Sequence, residues 1–489
     1  MADLFARVGG RGRSSFGVAG GGGSQPSFDT SEYRQNTYGV PTHYCDPTRS
    51  LASSGTGTFG NPWNITQAWA NATAGMRIGV MESGDAAVVL PSEDDTQIPT
   101  LNPGDHGTSS NPVIFVTRYA AVALNNVDTN SLRTQLKHDG IAADADLADD
   151  GPATGGAIFG AYFRDYIVYD GFFVDTNEAH PRSDSGVFKA FYSTGSHFRN
   201  LAIKCGNEDM HSNAVIWRPN AAINCSVSNG KFWGFHNAGT QRGHWSDDYG
   251  ALNIIHEYLS IWDWDKGPFW KGTAGLIGGG TGFNYGVMRY IHMWDCLAGL
   301  RFHALDHTEM SYVHHNLIED WKEYGLCFGH ETENCRNMRL YNNSCVNALT
   351  GGSILGAVHF NGDRGEDSMG TVEVYDNVFD MAVASGHGVS AGTITNPLPN
   401  FHHNGYYRTT GVPTGAYNGD EENMMSAWQT LSGTDANSRV FSSNPFPNRA
   451  SRIYTLPDGH EGKTGSSTGG VMGYEEGGVT PGAYGSYGF

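Results

Sequence analysis

Gly299-Leu300-Arg301-Phe302 and Gly325-Leu326-Cys327-Phe328 are two versions of one phrase, a glycine leading an apolar or aromatic pair. The phrase returns as Gly234-Phe235, Gly267-Pro268-Phe269-Trp270, Gly356-Ala357-Val358-His359-Phe360 and Gly388-Val389. From Gly234 to Gly388 the successive steps are 33, 32, 26, 31 and 32 residues. A near-constant step with variable filling is how a chain reads when it winds through similar turns. The glycine suits a corner that needs positive φ or close approach, and the apolar pair starts the next buried strand. Glycine is abundant, 67 of 489 residues, but abundance alone does not place six returns in one register.

Between the glycines lie short alternating stretches such as Thr371-Val372-Glu373-Val374-Tyr375 and Met338-Arg339-Leu340-Tyr341, the period of a strand. Asparagine closes many of them, at Asn200, Asn224, Asn316, Asn342, Asn343 and Asn377. Asn tolerates a left-handed bend and can hydrogen-bond to Asn on adjacent turns. A helical period is found in Asn64 to Gly75, where Ile65, Ala68, Trp69 and Ala72 share a face and Gly75 stands at the expected stop. A short helix there would cover the open end of a stack of coils.

Three segments resemble the right-handed parallel β-helix of polysaccharide lyases, related glycosidases and phage tailspikes. Tyr44-Cys45-Asp46-Pro47, Gly57-Thr58-Phe59-Gly60-Asn61-Pro62-Trp63, Gln67-Ala68-Trp69-Ala70 and Ala74-Gly75-Met76-Arg77-Ile78-Gly79-Val80 look like the opening, in which a capping helix leads into the first strand. Asp165-Tyr166-Ile167-Val168-Tyr169-Asp170-Gly171-Phe172 is similar to the strand-turn unit of an early coil. Asn404-Gly405-Tyr406-Tyr407, Trp428-Gln429, Gly433-Thr434-Asp435-Ala436-Asn437-Ser438 and Asn444-Pro445-Phe446 look like the close. The resemblance implies an all-β chain, a single-stranded right-handed parallel β-helix (solenoid) over 44–460, with a short N-terminal capping helix and extended Gly-rich terminal arms at 1–43 and 461–489. It implies little about function, since this scaffold hosts lyases, hydrolases and passive binders alike.

Composition agrees with one long solenoid. Hydrophobic residues are only 39%, yet Tyr 23, Phe 24 and Trp 11 make the chain aromatic-rich, which suits a narrow core under a large surface. No apolar run is long enough to span a membrane. The N-terminus Met1-Ala2-Asp3-Leu4-Phe5-Ala6-Arg7-Val8 lacks the pattern of a secretory signal, and the seven cysteines contain no CxxC pair, so they read as buried hydrophobes of a reducing compartment. A carbohydrate-enzyme scaffold without a secretion route is reconciled by a phage virion protein, made in the host cytoplasm and released by lysis; an extracellular location is the alternative. Gly20-Gly21-Gly22-Gly23 with Arg7, Arg11, Arg13 and Arg34 reads as an arm that docks on other virion proteins, and the Gly/Tyr tail either does the same or is disordered. A homo-oligomer or lattice-associated state follows from that reading.

A second recurrence bears on chemistry. Trp262-Asp263 and Trp294-Asp295 precede register glycines, and Asp320-Trp321 keeps the place with its order swapped. The three indoles are expected to stack along one side, either facing a groove that takes sugar rings, with Asp263 and Asp295 accepting hydroxyl hydrogen bonds, or filling the core. Nearby carboxylates (Asp263, Asp265, Asp295, Asp306, Glu309, Glu319, Asp320) are numerous enough for a general acid and base. Asp263, Asp295, Glu319 and Asp320 are the catalytic candidates, although no motif fixes a pair. With 50 acidic against 30 basic residues and net charge −20, the chain is ill suited to a polyanion or nucleic acid, which favours a glycosidase over a uronate lyase.

Histidine clusters at His292, His303, His307, His314, His315 and His330. The i,i+4 spacing of His303 and His307 joins two ligands only on a helix, and this stretch reads as strand, so no metal and no cofactor are expected. Three functions remain. A non-enzymatic virion component (capsid decoration or receptor-binding spike) that presents the β-helix to surface carbohydrate ranks first. A tailspike-like depolymerase and a free polysaccharide lyase or glycoside hydrolase are the alternatives.

Overall fold

The computed structural model describes residues 38–81, 101–117, 135–137, 157–175, 186–204, 213–235, 246–249, 252–266, 269–271, 285–303, 310–328, 337–347, 349, 356–360, 371–381, 387–391, 398–408, 415–417, 420–421, 425–451 and 453–474. The expected N-terminal arm lies outside them up to residue 37, and the expected tail lies outside them from residue 475. The chain is a parallel β-solenoid, each strand pairing in parallel with its counterpart one coil later. An antiparallel pairing, Gly415–Tyr417 with Asp420–Glu421, is found near the C-terminal end.

Each coil contributes to three sheets. The first holds Ile167–Asp170, His197–Arg199, Ser311–His314, Met338–Tyr341, Val372–Tyr375 and Asn400–His402. The second holds Phe173–Asp175, Ala202–Lys204, Leu317–Glu319, Ser344–Asn347, Val378–Met381 and Gly405–Tyr407. The third holds Ala157–Tyr162, Gly186–Thr194, Tyr324–Phe328, Gly356–Phe360 and His387–Ala391. In the middle coils Ser226–Phe235 and Leu252–Lys266 run from the first sheet into the second, and Tyr285–His303 passes through all three.

Inward residues of the third sheet form the column that the glycine phrase announces. Phe302, Phe328 and Phe360 pair in register, with ring centroids 5.2 and 5.1 Å apart. The glycines themselves need one correction. Leu300, Leu326, Val358 and Val389 pair in sequence, so Gly299 and Gly325 stand over Ala357 and Gly388, and Gly356 is one place out of the column. Gly299, Gly325 and Gly356 do not have positive φ either. Their demand is close approach: a Cβ on Gly299 would lie 1.9 Å from the Gly325 carbonyl oxygen.

The asparagines divide into two kinds. Asn200, Asn224 and Asn342 sit at corners with φ of 52°, 55° and 52°, the left-handed conformation that Asn tolerates. Asn316, Asn343, Asn377 and Asn404 are buried and form a ladder just past the corner between the first and second sheets. The Nδ2 of Asn316 donates to Asn343 Oδ1 at 2.9 Å, Asn343 to Asn377 at 2.9 Å, and Asn377 to Asn404 at 3.0 Å. Each Oδ1 also accepts the backbone N–H of the preceding Asn. Asn343→Ala strands the Asn316 donors and one Nδ2 partner, Val313 O, in the interior. It is expected to cost about 2 kcal/mol in urea unfolding, the usual penalty for orphaned buried polar groups.

Near the N-terminal end, helix α1 (Ile65–Ala70) carries an Asn64–Gln67 capping box and buries Ile65, Ala68 and Trp69. Trp69 stacks on Phe115 at 4.2 Å and its Nε1–H donates to Tyr169 Oη at 3.0 Å. The helix ends at Ala70 with Asn71 as its C-cap, earlier than Gly75, and the Trp69 carbonyl accepts the N–H groups of Ala72 and Gly104 at 3.1 and 2.8 Å. Helix α2 (Met425–Ser432) stands near the other end, where Trp428 Nε1–H and Tyr406 O–H both donate to buried Asp435. No described helix is long and apolar enough to cross a membrane.

Candidate functional site

Outward residues of the second sheet form columns, and one column collects the Trp–Asp motif. Trp233, Trp262, Trp294, Glu319, Val346, Asp380 and Tyr407 follow one another in backbone register. The Trp262 and Trp294 rings are half-buried, 4.8 Å apart and within 4° of parallel. Trp321, the expected third rung, is absent from the stack. Glu319 holds that place, and Trp321 lies past the corner, fully buried in the solenoid core. The swapped order explains the split. Asp295 and Asp320 both occupy left-handed corner positions (φ 51° and 48°), so the aspartates stay aligned while the tryptophan moves from before the corner to after it.

Stacking also changes what the indoles offer. Two rings in face-to-face contact cover each other's faces, so the sides of the stack present edges. The Trp262–Trp294 stack has a rim that is rich in polar neighbours.

Those neighbours include His292, Glu319 and Tyr454. His292 is two residues before Trp294 on the same outward face, its ring 4.7 Å from the indole. His292 Nε2 contacts Glu319 Oε1, and the Tyr454 hydroxyl donates to Glu319 Oε2. The side chains of His292 and Glu319 are 17% and 7% exposed, so the carboxylate is nearly enclosed. The enclosure comes from residues 441–451 and 453–474, a layer laid along the outside of the second sheet. Phe441, Phe446, Tyr454, Leu456 and Met472 pack there on Leu317, Val346 and Val378. Polar pins hold the layer: Ser467 donates twice to Asp376, and Tyr474 N–H donates to Ser344 Oγ at 2.8 Å. Arg449 Nη1 lies 3.4 Å from Asp380 Oδ2. Burial raises the Asp380 carboxyl to about 6, with Arg449 opposing and Asp320 adding to the rise.

The remaining carboxylates are placed as follows. Asp295 is 61% exposed and meets Lys322 Nζ at 3.2 Å. Asp320 is half-buried on the next coil. Asp263 precedes Asp295 by one coil, but its side chain lies outside the described ones, as do Asp265, Asp306 and Glu309. Register therefore puts Asp263, Asp295 and Asp320 at successive rungs of one corner, about 5 Å apart.

The histidine cluster disperses. His314 stacks on Tyr341, Tyr341 on Tyr375 and Tyr375 on His402, along the outer face of the first sheet. Burial, then His315 and Arg289, push His314 down to about 3, so it is neutral in the folded state. The side chain of His303, and all of His307 and His330, lie outside the described residues. Among the described residues no group of three or more His, Cys, Asp or Glu side chains is arranged to hold a metal ion. Asp380 and Tyr454 escaped the sequence reading, and His292 entered it only as one of the clustered histidines. Asp380 follows once the column is counted from Trp294, whereas Tyr454 meets Glu319 across 135 residues with no shared period.

No protein-family model matches the chain, and no curated protein matches it. Solved structures do match in fold. The crystal structure of a GH136 lacto-N-biosidase from Eubacterium ramulus aligns with TM-score 0.50 and 11% identity, over 81% of this chain and 67% of that one. The pectate lyase Pel9A aligns with TM-score 0.50 and 12% identity, over 90% of this chain and 96% of that one. At such identities the shared property is the architecture, a parallel β-helix of the pectate lyase-like kind.

Proposed function

We propose that the protein is a carbohydrate-active β-solenoid that holds a neutral glycan at the second sheet's acidic corner and hydrolyses a glycosidic bond there. The observation that carries this reading is the register: it puts the Trp262–Trp294 stack, Glu319 and the corner aspartates into one array. Glu319 pairs with Trp294, so Glu319 and Asp295 are diagonal neighbours on adjacent coils, with backbones about 6 Å apart. Side chains reaching from such neighbours could meet one glycosidic bond, and the retaining scheme works with carboxyls about 5–5.5 Å apart. In that scheme Glu319 protonates the leaving oxygen while Asp295 attacks the anomeric carbon, and water then cleaves the glycosyl ester with Glu319 as base. The likeness of the fold to a lacto-N-biosidase and a pectate lyase supports carbohydrate chemistry, and the net charge of −20 favours a neutral substrate over a uronate.

This reading displaces the non-enzymatic virion component that the sequence alone ranked first; residence on a virion is a separate proposal about location. The test is release of reducing ends from neutral polysaccharides. Glu319→Gln is expected to lower it by about 10²-fold or more, as for loss of a general acid. Trp294→Ala is expected to weaken glycan binding by about 10-fold, the low end for truncating an interface aromatic. A second reading, binding without cleavage, is favoured by the engagement of both Glu319 oxygens. It predicts the Trp294→Ala loss with no products from any variant. Glycan affinity untouched by Trp294→Ala would remove both.

A further inference from the structure

The layer that encloses Glu319 rests on polar ground. Beneath it lie Ser344, Glu319 and Asp380, all buried, two of them carboxylates. Among the described residues Asp380 Oδ1 has no hydrogen-bond partner and Oδ2 has only the 3.4 Å contact to Arg449, a poorly compensated burial. The layer's apolar cluster is separate from the solenoid core, so lifting it leaves that core closed. A carboxylate that already accepts from Tyr454 and contacts His292 has no oxygen free for a substrate.

We infer that residues 446–451 and 453–456 belong to an autoinhibitory strap, which in its closed position seals Glu319 through Tyr454 and, when lifted, opens the second sheet's outer face to a glycan. The consequence for activity rests on the hydrolytic reading, whereas the strap's motion does not. Asp380 gives the strap a pH dependence of determined sign. It faces Arg449 from the strap and Asp320 from the corner, between Val346 and Tyr407 in its own column, with Glu319 and the Tyr454 that caps it two coils away and His292 three. Its carboxyl is at about 6 when covered and would return to about 3.9 when solvated, so the closed state binds the proton more tightly. Closure is therefore favoured in acid. Opening rises about 10-fold per pH unit from about 4 to 6 and levels off above.

The experiment is hydrogen exchange of the full chain from pH 4 to 8, with carbodiimide labelling of Glu319 read by peptide mass spectrometry. Tyr454→Phe is expected to speed exchange of the strap by about 10-fold or more and to expose Glu319 to label. Asp380→Asn is expected to slow that exchange above pH 6 and to flatten its pH dependence. Strand Gly356–Phe360 of the third sheet, away from the layer, reports global unfolding in the same samples and should not change. Strap exchange that matches this strand at every pH, in the wild type and in both variants, overturns the strap. Labelling that rises in Tyr454→Phe while no glycan is cleaved upholds the strap and removes the hydrolytic reading.

Discussion

Trp321→Ala is expected to lower folding stability by about 3–5 kcal/mol, the cost of emptying an indole-sized site in a packed core. Trp321 has no exposed surface and belongs to the same cluster as Ile318, Leu326 and Phe328. Its backbone carbonyl accepts from the buried Asn347 Nδ2 at 2.7 Å, which holds the corner and limits how far neighbours can collapse into the gap. The indole Nε1–H is buried without an acceptor among the described residues, so it contributes no hydrogen bond to the folded state. Trp321→Phe should therefore cost much less than Trp321→Ala, since it keeps most of the apolar volume and removes an unsatisfied donor. Urea unfolding gives the comparison, with the midpoint moving and the slope unchanged. Trp294→Ala, in a half-buried stack, should shift the midpoint less. If Trp294→Ala proves the more damaging of the two, the split of the motif between surface and core is wrong.

The contrast between Trp294 and Trp321 also marks where sequence reasoning stops. Periodicity found the Phe302–Phe328–Phe360 column, because a buried column requires apolar residues at every coil and so leaves a trace. It found the asparagine corners for a similar reason, since few residue types accept a left-handed bend. An outward column has no such requirement. Trp262 and Trp294 share a type and were related by it, but Glu319, Val346 and Asp380 continue the same column with no common chemistry, so the recurrence does not lead on to them. The order Asp320-Trp321 in place of Trp294-Asp295 then put Glu319 in the column and Trp321 past the corner. The layer over the second sheet was less legible still, since it packs on the solenoid without repeating it and its side-chain contacts reach back to coils laid down far earlier.

Gly299→Ala is the second large effect, again about 3 kcal/mol, and the reason differs from the one the glycine phrase first suggests. Positive φ would make the penalty conformational and limit it to about 1 kcal/mol. Gly299 is not left-handed, and the obstacle is the next coil: the added Cβ would lie 1.9 Å from the Gly325 carbonyl oxygen, 2.9 Å from its carbon and 3.0 Å from Ile318 Cγ2. Backbone cannot swing aside as a side chain does. The coils must separate locally, stretching the ladder between Tyr285–His303 and Tyr324–Phe328, and overpacking of that kind lies at the upper end of its usual range. Gly325 is a graded control, because its Cβ would approach the Ala357 carbonyl oxygen at 2.7 Å and the Cys345 Sγ at 3.3 Å. Gly433 is the conformational control, with φ +67° and nothing within 4 Å. The expected order of destabilisation is Gly299→Ala, then Gly325→Ala, then Gly433→Ala at about 1 kcal/mol. An order with Gly433 first would mean that the recurring glycines serve the bend, and that adjacent coils have room between them that the Gly299–Gly325 approach denies.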